Sequence, residues 1–281
     1  MVKGPGRLQV VATPIGNLND LSARAHQALA EADLVAAEDT RHTLGLLQAI
    51  GVSKPMVSLH AYNEGQRVPD LLARLSAGEV VALVSDAGTP LLSDPGFELV
   101  SAAADAGYEV RVIPGPSAIT AALAVAGLAT SRFCFEGFLP SRSRERRNEL
   151  ARLARETRTL VFFEAPHRIA ETLADMVSEF GGERRAVVAR ELTKAHETVY
   201  RGSLIELVGL SANDANFQRG EITLVVSGAE DVAGTVDTQM LKRAVELLAK
   251  ELPPGRAASI AAQLTGASRS EAYALIQKAE D

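Results

Sequence analysis

Hydrophobic residues in the first half of the chain fall in short unbroken runs, each cut off by a polar loop. Residues 8–12, 34–37, 56–59 and 80–84 are such runs, and the more mixed 109–113 completes the set. Apolar runs of this length predict strands buried on both faces. Helical patterns separate them. One is capped by Asp20 or Ser22 and runs to about Ala32; another spans 43–50 and stops at Gly51. A third spans 68–76 before Gly78, and a fourth spans 97–106 before Gly107. This alternation predicts a parallel α/β domain over residues 1–117.

The pattern then changes. An alanine-rich helix from Ser117 to about Ala126 is expected to connect two domains. Runs at 133–138, 159–163, 186–189, 197–202 and 221–227 predict a second sheet, with a helix at 169–180 ended by Gly181 and Gly182. Its strands allow antiparallel pairing, which gives a second α/β domain over 118–230. Residues 229–239 read as a linker, and the helical tail within 231–281 has helix–turn–helix character, with Gly266 at the turn and Ser268 as a cap. The tail is either a packing subdomain or a nucleic-acid contact.

Composition narrows the function classes. Among 281 residues there is one cysteine, Cys134, which excludes an internal disulfide and a cysteine zinc site and fits a reducing cytoplasm. No stretch has the length of a membrane span. The net charge of −6 argues against a uniformly basic nucleic-acid binder, but residues 141–158 hold seven arginines against three glutamates, a local net charge of +4. That segment is either a solvated helix laced with Glu–Arg pairs or a face for phosphates. There is no Walker-type phosphate loop, no G-x-S-x-G elbow and no H-E-x-x-H spacing. No metal is expected.

The polar residues cluster where a site belongs in this architecture, after the strands. Three loops have the character of a ligand cradle: 13–17, 85–96 and 114–118. The middle loop carries a carboxylate, Asp86, directly after its strand. A carboxylate there repels phosphate and suits a neutral or cationic small molecule.

The motifs carry the reading further. PIGNLNDLSARA (14–25), AAEDTRHTLGLL (36–47), SLHAYNE (58–64), ALVSDAGTPLLSDPG (82–96), VIPGPSA (112–118), GFLP (137–140), FFEAPHR (162–168) and ARELTKAHE (189–197) together resemble the ribosomal RNA small subunit methyltransferase I family. That family belongs to the tetrapyrrole methylase-like, class III S-adenosylmethionine enzymes. The resemblance spans about residues 7–228 in order. It implies two α/β domains with the cofactor cleft between them, a small C-terminal helical segment, and a cytoplasmic homodimer. The implied activity is methyl transfer from S-adenosylmethionine to the ribose 2′-oxygen of a cytidine in the decoding region of 16S ribosomal RNA, as free RNA or within the assembled small subunit.

Carried over by motif, the cofactor is expected to meet Pro14, Ile15, Asp86, Gly88, Thr89, Ser117 and Ala118. From the second domain it would meet Glu164, Ala165, Glu191, Leu192, Ile222 and Thr223. A ribose hydroxyl needs a proton acceptor, and the candidates at strand ends are Glu38, Asp39, His60, Glu64 and His167. Arg41 and Arg168, with Arg144, Arg146 and Arg147 of the basic segment, are candidates for RNA contact. Two alternatives stand beside this reading. One is a tetrapyrrole C-methyltransferase, against which the first loop Thr13-Pro14-Ile15-Gly16-Asn17 and the basic segment argue. The other is a nucleic-acid-binding regulator that works through the tail.

Overall fold

The apolar runs build two five-stranded sheets. In the computed structural model, which describes residues 6–230 and 238–280, β1 (Arg7–Val11), β2 (Leu34–Ala37), β3 (Met56–Ser58), β4 (Val80–Val84) and β5 (Glu109–Ile113) pair in the order β3-β2-β4-β1-β5, all parallel. Helices cover both faces, which is why the central strands read as continuous apolar runs. On one face α1 (Ala23–Glu31) and α2 (Thr40–Ala49) bury Leu29 and Leu47 against Val11, Val35 and Val84. On the other, α3 (Glu64–Ser76) and α4 (Phe97–Asp105) bury Leu71, Leu75 and Leu99 against Leu8, Val81 and Leu83.

The second sheet uses β6 (Phe133–Phe138), β7 (Thr159–Glu164), β8 (Arg185–Arg190), β9 (Thr198–Ser203) and β10 (Ile222–Val226) in the order β6-β7-β10-β8-β9. Only β6 and β7 are parallel; the other pairs are antiparallel, as the strand spacing allowed. Its side chains divide with a period of two. Leu160 and Phe162 face α6 (Ser143–Leu153), α7 (Ile169–Phe180) and α8 (Leu204–Asn213), while Val161 and Phe163 face α5 (Ala118–Ala126). The α5 cluster also contains Ile15 from the loop after β1. Thus α5 is core to the second sheet and at the same time holds the first lobe's loop in place.

Several boundaries differ from expectation. Helix α2 begins at Thr40 because the Asp39 carboxylate accepts a hydrogen bond from the Arg41 N–H. Helix α3 begins at Glu64, before the expected start, because Asn63 fixes the preceding turn through the His60 N–H and the Ser58 carbonyl. Helix α8 has no counterpart in the expected elements. Its signal was present: Ser203 and Glu206 form a reciprocal capping box.

Residues 6–229 belong to one compact unit that holds both sheets. The second unit starts at Glu230, and residues 231–237 of the expected linker lie outside the described residues. That unit consists of α9 (Thr238–Leu248), α10 (Pro254–Thr265) and α11 (Arg269–Glu280), packed around Leu241, Val245, Ala257, Ala258, Ala261, Ala272 and Ile276. Gly266, with φ of 73°, ends α10, and Ser268 caps α11 by exchanging hydrogen bonds with Glu271. Among the described residues no helix is long and apolar enough to cross a membrane.

Candidate active site

Three loops at the carboxyl ends of the first sheet are stitched together by hydrogen bonds. Thr13 and Gly88 exchange backbone bonds of 2.8 and 3.1 Å, and the Thr13 hydroxyl donates to the Ser85 carbonyl at 3.3 Å. The Thr89 hydroxyl donates to the Pro116 carbonyl at 3.1 Å. Gly88 has φ of 81°, and a Cβ there would lie 3.2 Å from the Ile15 methyl, so the turn needs glycine both for conformation and for space.

These loops form one wall of a cavity of about 370 Å³, within the usual size range of small-molecule sites. The facing wall comes from the second sheet: Phe138, Phe163, Glu164, Ala165, Leu192, Ile222 and Thr223. Apolar side chains such as Ile15, Ile119, Leu92, Phe163 and Leu192 supply most of the surface. The charged groups are Glu38, Asp86, Asp94, Glu164 and Glu221, and among the described residues no Lys, Arg or His joins the lining. Such a lining attracts a cation and repels phosphate. Among the described residues, no group of His, Cys, Asp or Glu is placed to hold a metal ion.

Strain gathers around this cavity. The non-glycine residues with left-handed backbone among those described are Leu91, Ser93, Glu191 and Thr193, with φ between 52° and 75°. Leu91 and Ser93 lie in the loop after β4; Glu191 and Thr193 lie in the loop after β8. Each such residue costs on the order of 1–3 kcal/mol, and conformations of this kind cluster at functional sites.

Comparison with known proteins fits this geometry. The model of the Tetrapyrrole (Corrin/Porphyrin) Methylases matches residues 7–208, and that of the RsmI C-terminal HTH domain matches residues 235–279. The chain is 52% identical over 269 residues to a ribosomal RNA small subunit methyltransferase I of Xylella fastidiosa, covering 96% of this chain and 98% of that protein. It is 50% identical to the Pseudomonas aeruginosa protein of the same name, covering 95% of each. The chain belongs to the ribosomal RNA small subunit methyltransferase I family. Solved structures share the fold of the family at low identity. The methyltransferase CobJ aligns with a TM-score of 0.59 at 21% identity, covering 80% of this chain and 95% of that one. Diphthine synthase aligns with 0.58 at 20%, covering 79% and 90%.

The residues expected to meet the cofactor mostly converge. Ile15, Asp86, Gly88, Thr89, Ser117, Ala118, Glu164, Ala165, Leu192, Ile222 and Thr223 all line the cavity. Pro14 and Glu191 do not. Pro14 sits between the Thr13–Gly88 bridge and Ile15. The Glu191 carboxylate accepts from the Lys194 ammonium and the Glu221 N–H, both at 2.9 Å, so it holds the adjoining wall in place. Glu164 lines the cavity, but its oxygens are engaged. One accepts from the Thr172 hydroxyl at 2.6 Å and the other from the Ala165 N–H at 2.7 Å, with the Arg168 guanidinium beside it.

Of the five proton-acceptor candidates only Glu38 reaches the cavity. Burial and the nearby Asp86 and Asp39 charges raise its pKa, against a hydrogen bond from the Asp86 N–H. Asp39 instead caps α2 and chelates Arg41, whose hydrogen bonds hold its carboxyl well below the usual carboxylate range. Glu64 is buried and accepts from the Leu99 N–H, capping α4. His60 packs edge-on against Tyr62, and His167 is exposed on the turn after β7.

The arginines divide sharply. Arg144 and Arg147 are exposed on α6, and the Arg41 side chain is exposed but paired with Asp39. Arg146 must be removed from the RNA-contact set. It is 1% exposed, its Nε donates to Asp175 at 2.7 Å, and a further nitrogen donates to the Ser141 carbonyl. Arg168 is only part-buried, but its guanidinium is engaged: it donates to the Leu139 and Pro140 carbonyls and flanks Glu164, tying the loop after β6 to the turn after β7. Helical periodicity along α6 was the signal that separates Arg146 from its neighbours.

Sequence reasoning missed Leu92, Ser93, Asp94, Phe138, Gly220 and Glu221 in the lining. Asp94 matters most among them. In sequence it reads as part of an Asp-Pro-Gly turn. In the fold, the positive φ of Leu91 and Ser93 swings the loop back so that Asp94 joins Glu38 and Asp86.

Proposed function

We propose that this chain transfers a methyl group from S-adenosylmethionine to the ribose 2′-oxygen of a cytidine in 16S ribosomal RNA, in the decoding region. The observation that carries the reading is the lining of the cavity: carboxylates and apolar walls, without a basic residue among those described. A sulfonium cation with an apolar adenine and ribose hydroxyls fits that lining, and a nucleoside phosphate does not. Membership of the methyltransferase family supports the same ligand. A Thermus thermophilus uroporphyrin-III C-methyl transferase of the same fold is described as complexed with S-adenosyl homocysteine; it aligns with a TM-score of 0.55 at 20% identity, covering 80% of this chain and 97% of that one.

S-Adenosylmethionine, when bound, supplies a methyl carbon already activated for displacement. The protein's share is then positioning, charge and removal of a proton. Asp86, Glu38 and Asp94 hold the positive charge at the first-lobe wall. Gly88 and Thr89 give the ligand close access to backbone, and Ile15, Phe163 and Leu192 exclude water. Arg144 and Arg147 present charge to the RNA backbone, with the C-terminal helices as a second contact. The working species is read as a cytoplasmic homodimer.

The direct test is transfer of labelled methyl groups to small ribosomal subunits from a strain without this methylation, followed by mapping of the modified nucleotide. One labelled ribose is expected, on a cytidine; label on a base or on a tetrapyrrole refutes the assignment. Replacing Arg144 and Arg147 together by Ala is expected to reduce the salt slope of RNA binding by roughly 1.5–2, because each phosphate contact contributes close to one released counterion. An unchanged slope makes the basic segment a solvated face.

A further inference from the structure

Five carboxylates line the cavity, and four of them are committed. Asp86 accepts from the Asp39 N–H at 3.1 Å, and Glu38 accepts from the Asp86 N–H at 3.4 Å. Glu164 is held by Thr172, the Ala165 N–H and Arg168, and Glu221 lies 3.2 Å from the Lys194 ammonium. Each of these four thus carries a backbone N–H or a cation on its carboxylate. Asp94 has neither. Its partner among the described residues is the Ser85 hydroxyl, and its charged neighbours on its own lobe are Glu38 and Asp86. Glu164 and Glu221 stand on the facing wall, and His42 lies beside Glu38.

We infer that the Asp94 carboxylate accepts the proton of the acceptor hydroxyl during methyl transfer, so that the carboxylate cluster exchanges a sulfonium charge for a proton in each turnover. The inference rests on the methyltransferase reading of the cavity. In the step, a lone pair on the hydroxyl oxygen forms the bond to the methyl carbon, and the carbon–sulfur bond breaks with its electron pair left on sulfur. The hydroxyl proton passes to an Asp94 oxygen. Before the step the cluster faces a positive sulfur; afterwards the sulfur is neutral, and the cluster regains its preference for a proton. Burial, followed by the repulsion of Glu38 and Asp86, pushes the Asp94 carboxyl up to about 6 against the Ser85 hydrogen bond. A group titrating there is suited to taking a proton and returning it to solvent near neutral pH.

The test compares S-adenosylmethionine with S-adenosylhomocysteine, which lacks the positive charge, by calorimetry near pH 6 in buffers of different ionisation enthalpy. Binding of the sulfonium is expected to release more protons than binding of the thioether, and Asp94→Asn should remove most of that difference. In turnover, wild-type kcat should rise about tenfold per pH unit below the pKa of Asp94 in the loaded complex and then level off. Asp94→Asn should lose that limb and fall by about 10²–10⁴-fold, while Asp94→Glu keeps the limb.

Thermal melting guards against misfolding. The raised pKa of Asp94 gives the wild type stability that is full below the unfolded value of 3.8 and is lost as pH rises through about 6. Asp94→Asn has no such loss and should melt no lower than wild type at pH 8. A proton difference or pH limb that survives in Asp94→Asn overturns the inference, as does equal proton release by both ligands in the wild type. If the wild type binds neither ligand, the methyltransferase reading itself fails.

Discussion

Arg146→Ala is expected to lose about 3–5 kcal/mol of folding stability, the usual result of breaking a buried ion pair from one side. The guanidinium is almost wholly buried between α6 and α7, with Asp175 at 2.7 Å, Glu171 at 3.5 Å and the Ser141 carbonyl completing its partners. Removing it takes the closest cation from Asp175, whose side chain is only 15% exposed and is left with the Ser143 hydroxyl and, at 3.9 Å, Arg147. Arg144→Ala, one turn-face away on the same helix, should cost less than 0.5 kcal/mol. Urea unfolding of both variants measures the contrast. Equal midpoints for the two would show that the buried pair does not hold α6 to α7.

Asp86→Ala should weaken S-adenosylmethionine binding by roughly 10–100-fold, the range for losing one charge-assisted contact. S-Adenosylhomocysteine should lose less, since its sulfur is uncharged. The fold should survive: among the described residues the side chain accepts one hydrogen bond, from the Asp39 N–H, and the Thr13–Gly88 bridge that shapes the loop is made by backbone. Calorimetric titration of both ligands, with a melting curve as control, measures this. Unchanged affinity for the sulfonium takes Asp86 out of the site.

The two variants concern residues that the sequence treats very differently. Asp86 is legible because it immediately follows a buried strand, and in a parallel sheet strand ends converge on one edge. Asp94 lies in the same loop yet was not legible. Its approach to Glu38 depends on left-handed backbone at Leu91 and Ser93, which local propensity does not foretell for those residues. Glu64 and Asp39 carry the right chemistry at the right strand ends, but their carboxylates are consumed by helix N-termini. A carboxylate at a strand end has two outlets, a helix cap or a ligand, and the packing of neighbouring helices decides between them.

For this chain, the order of apolar runs and their polar stops determined the strands of both sheets and the cleft-lining loops 13–17, 85–96 and 114–118, and the motifs in those loops carried the resemblance to the family. Those are local or one-dimensional properties, since burial on two faces leaves a run and a parallel strand end leaves a polar loop. The tertiary structure decided which charges are free. Arg146 left the RNA-facing set because it is buried against α7, Arg168 is engaged by the loop after β6, and Asp94 entered the site because a strained loop carries it to Glu38 and Asp86. The physical reason is that burial and pairing are set by residues distant in sequence, and they alone determine whether a charge is a strut or a reagent.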